Sequence, residues 1–368
     1  MALLKGVESP PGRQAVHRLA DYIELMCAAS IDGEYSAADF RSRRKLQEED
    51  DSVPVEASAH ELLLERDDVD GDPLELLALH EADSGSKEEE AEGESPEASG
   101  ANQMPGPAEE DDARLVEATE VIQHLKFRAE ELDEAYPFEL RDDDNLVLRD
   151  LNDTRRTYLF LLLASCLSKL EKKTDEASVT KAFELLCVHP LRAYLGPRFE
   201  THIFGTASNA ESARYTGSLW EKLKLLSDDC RLKLIASEQE VNENLSGDNG
   251  LDLVAWSPMG DEVSGIVIFF GQCASGKGWR GKQLEPSEQN WANVFSFPAP
   301  LVHGTFIPLC YRKVDGSWHH EYQLSQGILF DRLRMMLTLR ESPEDAANAA
   351  GQITDELVDA LLEENLTN

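Results

Sequence analysis

Between Gln14 and Ala29 the apolar residues Val16, Leu19, Ile23 and Met26 recur at spacings of three and four, which predicts an amphipathic helix. Ser36 stands where an N-cap belongs and opens a second, short helix. The leucine clusters at 62–64 and 74–79 read as helical pieces packed on the body. From Asp83 to Asp112 the apolar pattern stops. A Glu88-Glu89-Glu90 run and a Ser/Gly/Pro-rich stretch bury too little to offset the entropy of ordering, so this segment reads as an acidic disordered linker. Helical periodicity resumes at Ala113 through Leu115, Val116, Ile122, Leu125 and Leu132, and Tyr136-Pro137-Phe138 ends it. Arg156 to Leu170 is apolar nearly all round, as a buried central helix would be. Val179 to Val188 forms a third helix, stopped before Pro190. Ala113 to Arg198 is thus expected to be a compact helical block.

Past Phe204 the pattern changes period. Gly217-Ser218 opens a helix running to about Ile235. Gly247-Asp248-Asn249-Gly250 is a turn feeding the apolar run Leu251 to Trp256, and Ile266 to Cys273 is a β-branched and aromatic run bounded by glycine; both read as strands. A helix around Trp291, a strand from Val302 to Leu309 and a strand-to-helix passage over Gly327–Leu339 follow. A capped helix from Thr354 to Leu362 closes the chain after an Ala/Asn-rich link. The expected division is an N-terminal helical segment (1–82), the acidic linker (83–112), a helical domain (113–200), a strand-containing domain (201–340) and an acidic tail (341–368). The fold class is α+β or α/β, with a central mixed sheet flanked by helices.

Charge sharpens this division. The net charge is −36, but it is unevenly placed. Residues 48–112 hold 24 acidic and two basic residues, whereas 201–340 hold 16 acidic and 13 basic ones, so the strand-containing region is nearly neutral. A chain this acidic does not bind nucleic acid through its whole surface. The basic cluster Arg41, Arg43, Arg44, Lys45 beside Glu48–Asp51 reads as a solvated helix face. Six scattered cysteines without a C-x-x-C pair argue against structural zinc and for reduced core thiols. The longest apolar run, Tyr158 to Ala164, is far short of the ~20 residues that span a bilayer, and no signal peptide opens the chain. The expectation is a soluble, cytoplasmic protein with no membrane association.

The chemistry concentrates in the two strands. Asp252 is a carboxylate inside an apolar strand, which is costly unless it is paired or metal-bound. Gln272 ends the neighbouring strand. Together they bring two oxygen ligands to one sheet edge, suited to a hard ion such as magnesium. Asp248 and Asn249 read as turn residues. Gly276-Lys277-Gly278 lacks the Walker spacing and is no ATP loop. His303, His319 and His320 read as surface or core histidines, and Trp279 and Trp291 as packing residues.

The Gly247-Asp248-Asn249-Gly250-Leu251-Asp252 strand, followed by a strand ending in Gln272, resembles the PD-(D/E)XK nuclease superfamily, most of all its Mrr-type restriction endonuclease branch. The resemblance covers roughly Thr206 to Arg340. It implies a restriction-endonuclease-like α-β-β-β-α-β core, of which the pattern supplies all but one strand; Leu245 or the Asp261 turn region is the candidate for it. It further implies Mg2+ or Mn2+ held by Asp252, Gln272, the Cys273 carbonyl and a glutamate of the preceding helix, Glu221, with Glu211 and Glu240 as alternatives. The family's lysine, two residues after Gln272, is Ala274 here. Lys282, then Lys277, are the replacements within reach. The implied activity is metal-dependent DNA endonuclease action in bacterial defence against phage or foreign DNA. An ATPase, helicase or other defence-system partner would be engaged through the helical region. The second reading is a catalytically inactive nuclease fold serving as an interaction module.

Overall fold

The computed structural model describes residues 3–7, 15–51, 107–205, 214–245, 247–351 and 355–366. The leucine clusters at 62–64 and 74–79, and the linker as far as residue 106, lie outside the described residues. The described part is a mixed α/β fold of twelve α-helices around a central five-stranded sheet.

Helix α1 (Val16–Ala29) leads through strand β1 (Glu34–Ser36) into α2 (Ala37–Asp51). Ser36 caps α2 as expected: its hydroxyl accepts from the Asp39 amide at 3.1 Å, and the Asp39 carboxylate accepts from the Ser36 amide at 2.9 Å. Arg44 is no solvated residue; it is buried and holds Glu117 with two N–H groups. Helix α3 (Pro107–Leu132) begins within the stretch expected to be linker.

Strands β2 (Phe138–Leu140) and β3 (Asn145–Leu148) then form a hairpin that pairs with β1 into an antiparallel sheet of order β1-β3-β2. The expected all-helical block therefore contains a small sheet. Its strands are three or four residues long, too short to show a period against the helical background. Helix α4 (Asp153–Ser165), capped by Asn152, is the buried central helix.

Helix α5 (Lys173–Leu195) does not stop before Pro190 but carries it inside. The lost hydrogen bond is offset by burial on both sides of the proline, at Cys187, Val188 and Leu191. Strand β4 (Glu200–Ile203) follows, a strand the sequence pattern does not show, whereas neither Leu245 nor the Asp261 turn forms one. Helix α6 (Leu219–Cys230), with a Ser218–Glu221 capping box, ends at Arg231 in the left-handed region. Next come β5 (Lys233–Leu234), α7 (Glu238–Asn244), β6 (Leu253–Trp256) and β7 (Ile268–Cys273). Two one-turn helices, α8 (Trp279–Lys282) and α9 (Glu288–Trp291), precede β8 (Phe295–Ser296), β9 (Val302–Phe306) and β10 (Ile328–Phe330). Helix α10 (Arg332–Arg340) is capped by Asp331. Helix α11 (Pro343–Ala350) occupies what read as an Ala/Asn-rich link, and α12 (Asp355–Leu362) is the tail helix.

The central sheet has the order β10-β9-β7-β6-β4. The pairs β4–β6 and β6–β7 are antiparallel; β7–β9 and β9–β10 are parallel. Alternation along β6 and β7 sends Leu253, Ala255 and Phe269 to the face packed on the N-terminal helices, and Val254, Trp256 and Phe270 to the face covered by Leu223, Leu226 and Trp291. The first face is continuous with the core of α1, α3, α4 and α5. Residues on both sides of position 200 share it.

A buried charge network crosses that shared core. Arg128 of α3 donates to Asp21 at 2.7 Å and Glu24 at 2.8 Å, both on α1. Arg332 of α10 donates to Asp21 at 3.1 Å and to Ser165 at 2.9 Å. Tyr136 and Tyr158 donate to Glu24 at 2.6 and 2.9 Å. All four charged side chains are buried, and two acids face two guanidinium groups.

Candidate functional site

Asp252 sits one residue before β6, where the sheet's backbone fixes it completely. Its amide donates to the Gly271 carbonyl at 2.9 Å, and its carbonyl accepts from the amides of Phe204 and Gly205 at 2.7 and 3.1 Å. Its carboxylate Oδ2 accepts from the Cys273 amide at 2.6 Å. The other oxygen, Oδ1, lies against Gly205. A Cβ on Gly205 would stand 2.8 Å from Asp252 Oδ1 and would collide with Glu184 Oε1. Glycine is thus required here because two carboxylates, one from α5 and one from the β6 entry, close on the same point. Both residues are only 7% exposed.

The electrostatics follow from that convergence. Burial pushes the Asp252 carboxyl well above the usual range, and the Glu184 and Asp248 charges push it further; the Cys273 amide and the Lys282 charge pull it back. Asp248 stands in the turn, with Oδ1 accepting from the Gly250 amide at 3.0 Å. Gly250 has φ +72°, and a Cβ on it would meet Glu285 Oε2 at 2.6 Å, so Glu285 closes the mouth from the other side. Burial raises the Glu285 carboxyl as well, with Lys282 opposing and Asp248 adding to the rise.

Two cations answer these acids. Lys282, at the end of α8, is exposed at the rim and acts on both Asp252 and Glu285. Lys222 of α6 is half-buried, and its Nζ donates to the carbonyls of Phe204 and Gly205 at 2.8 and 3.3 Å. Burial lowers its pKa, with Asp248 and Glu184 opposing.

Gln272 follows Gly271, whose carbonyl accepts from the Asp252 amide, and alternation along β7 places it on the face of Phe270 rather than that of Phe269 and Cys273. It is buried, and among the described residues its Oε1 has no hydrogen-bond partner, while its Nε2 donates to the Cys273 carbonyl at 3.3 Å. A buried amide oxygen without a donor is the kind of atom a cation satisfies.

The other expected site residues lie elsewhere. Glu221 is exposed, and its carboxylate accepts from the Ser218 amide at 2.8 Å and the Ser218 hydroxyl at 3.0 Å. Glu240 does the same for Ser237. Both acids are helix caps. The helix preceding the sheet is α5 rather than α6, and the glutamate facing Asp252 is Glu184. Glu211 lies outside the described residues. Lys277 is exposed in the loop after β7. Ala274 is buried in a small apolar cluster with Trp279 and Ile307, so packing fills that place. His303 bonds the Gln326 carbonyl at 2.6 Å, and Trp279 and Trp291 are core residues.

Among the described residues no group of three or more His, Cys, Asp or Glu side chains forms a metal-holding cluster. A divalent ion held here would take the two carboxylates Glu184 and Asp252 and complete its shell with backbone carbonyl and water. That donor set fits magnesium, which keeps several waters and needs only one or two protein carboxylates.

The fold and site together define an α/β protein with a carboxylate pair at the entry to an inner strand of a mixed sheet. Compared with protein-family models, with curated proteins and with solved structures, the chain matches none. No helix among the described residues is long and apolar enough to cross a membrane.

Proposed function

We propose that this chain is a divalent-metal-dependent nuclease of the PD-(D/E)XK type that hydrolyses DNA phosphodiester bonds. The observation that carries it is the meeting of Glu184 and Asp252 over Gly205. The chain path supports it. Helix α5, antiparallel β4, β6 and β7, a crossover through α8 and α9, and parallel β9 are compatible with the α-β-β-β-α-β order of a restriction-endonuclease-like core once α6, β5, α7 and β8 are counted as insertions.

In this mechanism a bound Mg2+ or Mn2+ would supply an activated water and a clamp on the phosphate oxygens. The chain's own residues do the rest. The Cys273 amide fixes one Asp252 oxygen and so aims the other. Lys282 stands at the rim, where its charge offsets the charge building on the phosphorus oxygens. Lys222 pins the Phe204 and Gly205 carbonyls and so holds the Gly205 backbone against both acids. The chain's net charge of −36 opposes bulk attraction to DNA, which favours loading by a partner, such as a defence-system ATPase or helicase.

The alternative, an inactive nuclease fold that serves in interaction, is favoured by one observation: Ala274 is buried where the family's lysine belongs. Plasmid digestion decides. Wild type is expected to nick or linearise DNA with Mg2+ or Mn2+ and not with EDTA, and Asp252→Ala is expected to lose this by ~10³-fold or more while remaining folded. Equal nicking by both proteins would end the assignment.

A further inference from the structure

A second cluster is tied to α8, the helix that carries Lys282. Arg280 of α8 donates to Gln323 Oε1 at 2.6 Å, and Gln283 donates to the Gln323 carbonyl at 2.9 Å. These bonds fasten α8 to the loop between β9 and β10. The same loop bears a cavity of about 480 Å³ lined by Lys313, His319, His320, Glu321 and Tyr322.

The cavity is the outer end of a column of rings. His17, in the core, contacts His319 at 4.7 Å between centroids; His319 contacts His320 at 4.0 Å, and His320 contacts Tyr322 at 5.2 Å. Exposure rises along it, from 1% at His17 to 59% at Tyr322. The column thus ends in an aromatic ring open to solvent, with a free face on which a planar group can stack. The floor is rigid. Arg312 pairs with Asp331 at 2.8 Å and lies 3.6 Å from the Trp318 ring centre, and its carbonyl bonds His124 at 2.9 Å. Lys313 projects exposed from this braced hairpin.

We propose that this cavity binds an unpaired nucleotide of a nucleic-acid strand, with the base on Tyr322 and His320 and its phosphate on Lys313. The proposal rests on the nuclease reading and names its substrate class: DNA with a single-stranded segment next to the cut. A base has a π-face whatever its sequence, and stacking on an aromatic side chain is worth ~1–3 kcal/mol per base. Such a contact suits a chain too acidic to hold a duplex by charge alone, and α8 joins it directly to Lys282 at the carboxylates.

The test uses the full chain carrying Asp252→Asn, so that bound strands stay intact, and a 12-nucleotide DNA with one 2-aminopurine. Single-stranded probe is expected to bind at least tenfold more tightly than the same probe in a duplex, with quenched 2-aminopurine emission. Adding Tyr322→Ala should weaken single-strand binding about tenfold and abolish the quenching; Tyr322→Phe should keep both. Lys313→Ala should weaken binding and flatten its salt dependence. Equal affinity for Tyr322→Ala and its parent, or equal affinity for a strand abasic at the probe position, overturns the proposal. So does full competition by inorganic polyphosphate with no effect of Tyr322→Ala, which would mark a bare anion site. Pocket-dependent binding without metal-dependent cleavage by wild type would keep this site and end the nuclease reading. Cleavage by wild type with binding indifferent to Tyr322 would do the reverse.

Discussion

Two buried groups of charges lie in this molecule, and they are built on opposite principles. In the first, Asp21 and Glu24 face Arg128 and Arg332, and every partner is in direct hydrogen-bond contact. Burial alone would push Asp21 up, yet Arg332 and Arg128 hold its carboxyl below the usual range. In the second, burial drives the Asp252 carboxyl up, and the neighbouring Glu184 carboxylate adds to the rise while Lys282 opposes it from the rim. The first group has already neutralised itself and can only hold the fold together, tying α1 and α3 to α10. The second brings like charges to one point, where Lys282 acts on Asp252 and Lys222 on Glu184 without offsetting the burial of Asp252. Equal burial therefore says little about function; charge balance within the buried group says much.

The largest effect should come from unbalancing the balanced group. Arg332→Met leaves Asp21 and Glu24 short of one cation in a dry core, and removing one partner of such a group costs ~3–5 kcal/mol. The expected result in urea melts is a large fall in midpoint. Arg332→Met combined with Asp21→Asn should lose less than the two single changes added together, because the second change removes the acid that the first leaves stranded. Additive losses would show that the network is not the unit described.

Next in size is the rim of the unbalanced group. Lys282→Ala should lower single-turnover cleavage by ~10²–10³-fold, the usual cost of deleting a preorganised positive group, while metal affinity changes little. Lys277→Ala, exposed and between two glycines, should cost far less. If both variants cut at the wild-type rate, Lys282 has no electrostatic role.

The contrast also separates what was legible in the sequence. Asp252 was legible because a carboxylate inside an apolar strand breaks the local pattern, and Gln272 because the strand carrying it is adjacent. Glu184 was not. It sits in a helix whose periodicity through Val179, Ala182, Phe183, Leu186 and Cys187 reads as core, 68 positions before Asp252, and only the antiparallel passage of β4 brings the two together. The one signal available was an acid beside that apolar stripe in Lys181-Ala-Phe-Glu184-Leu-Leu. Lys222 was hidden likewise, one position from the capping glutamate that drew notice instead. Asp21 and Glu24 fell on what read as the polar face of α1, and the sequence offers no sign that Arg128 and Arg332 arrive to cover it. Strand β4 was missed because four residues with one buried position, Thr201, show no alternation.

The smallest expected effect is the one that tests the contrast most directly, through pH. A carboxyl whose folded pKa is raised makes a contribution that is fully present below its unfolded value, ~3.9, and is lost as pH rises through the folded one. Asp252 therefore weakens the fold on going from acid to neutral pH, and Asp252→Asn should be more stable than wild type near pH 7, on the order of 1 kcal/mol, with the gain vanishing near pH 4. A carboxyl whose folded pKa is lowered behaves oppositely: its contribution is present above the unfolded value and is lost as pH falls through the folded one. Asp21→Asn should therefore be less stable than wild type at pH 7, with the deficit shrinking only below pH ~4. Thermal melts of the three proteins at pH 4 and pH 7 give the two signs side by side. Millimolar Mg2+ or Mn2+ at pH 7 should raise the midpoint of wild type and of Asp21→Asn, and leave Asp252→Asn unmoved, since the cation replaces the proton that the paired carboxylates would otherwise hold. Two variants with the same sign at pH 7 would mean that Asp252 is compensated within the fold after all, and that the two buried groups are one kind of structure.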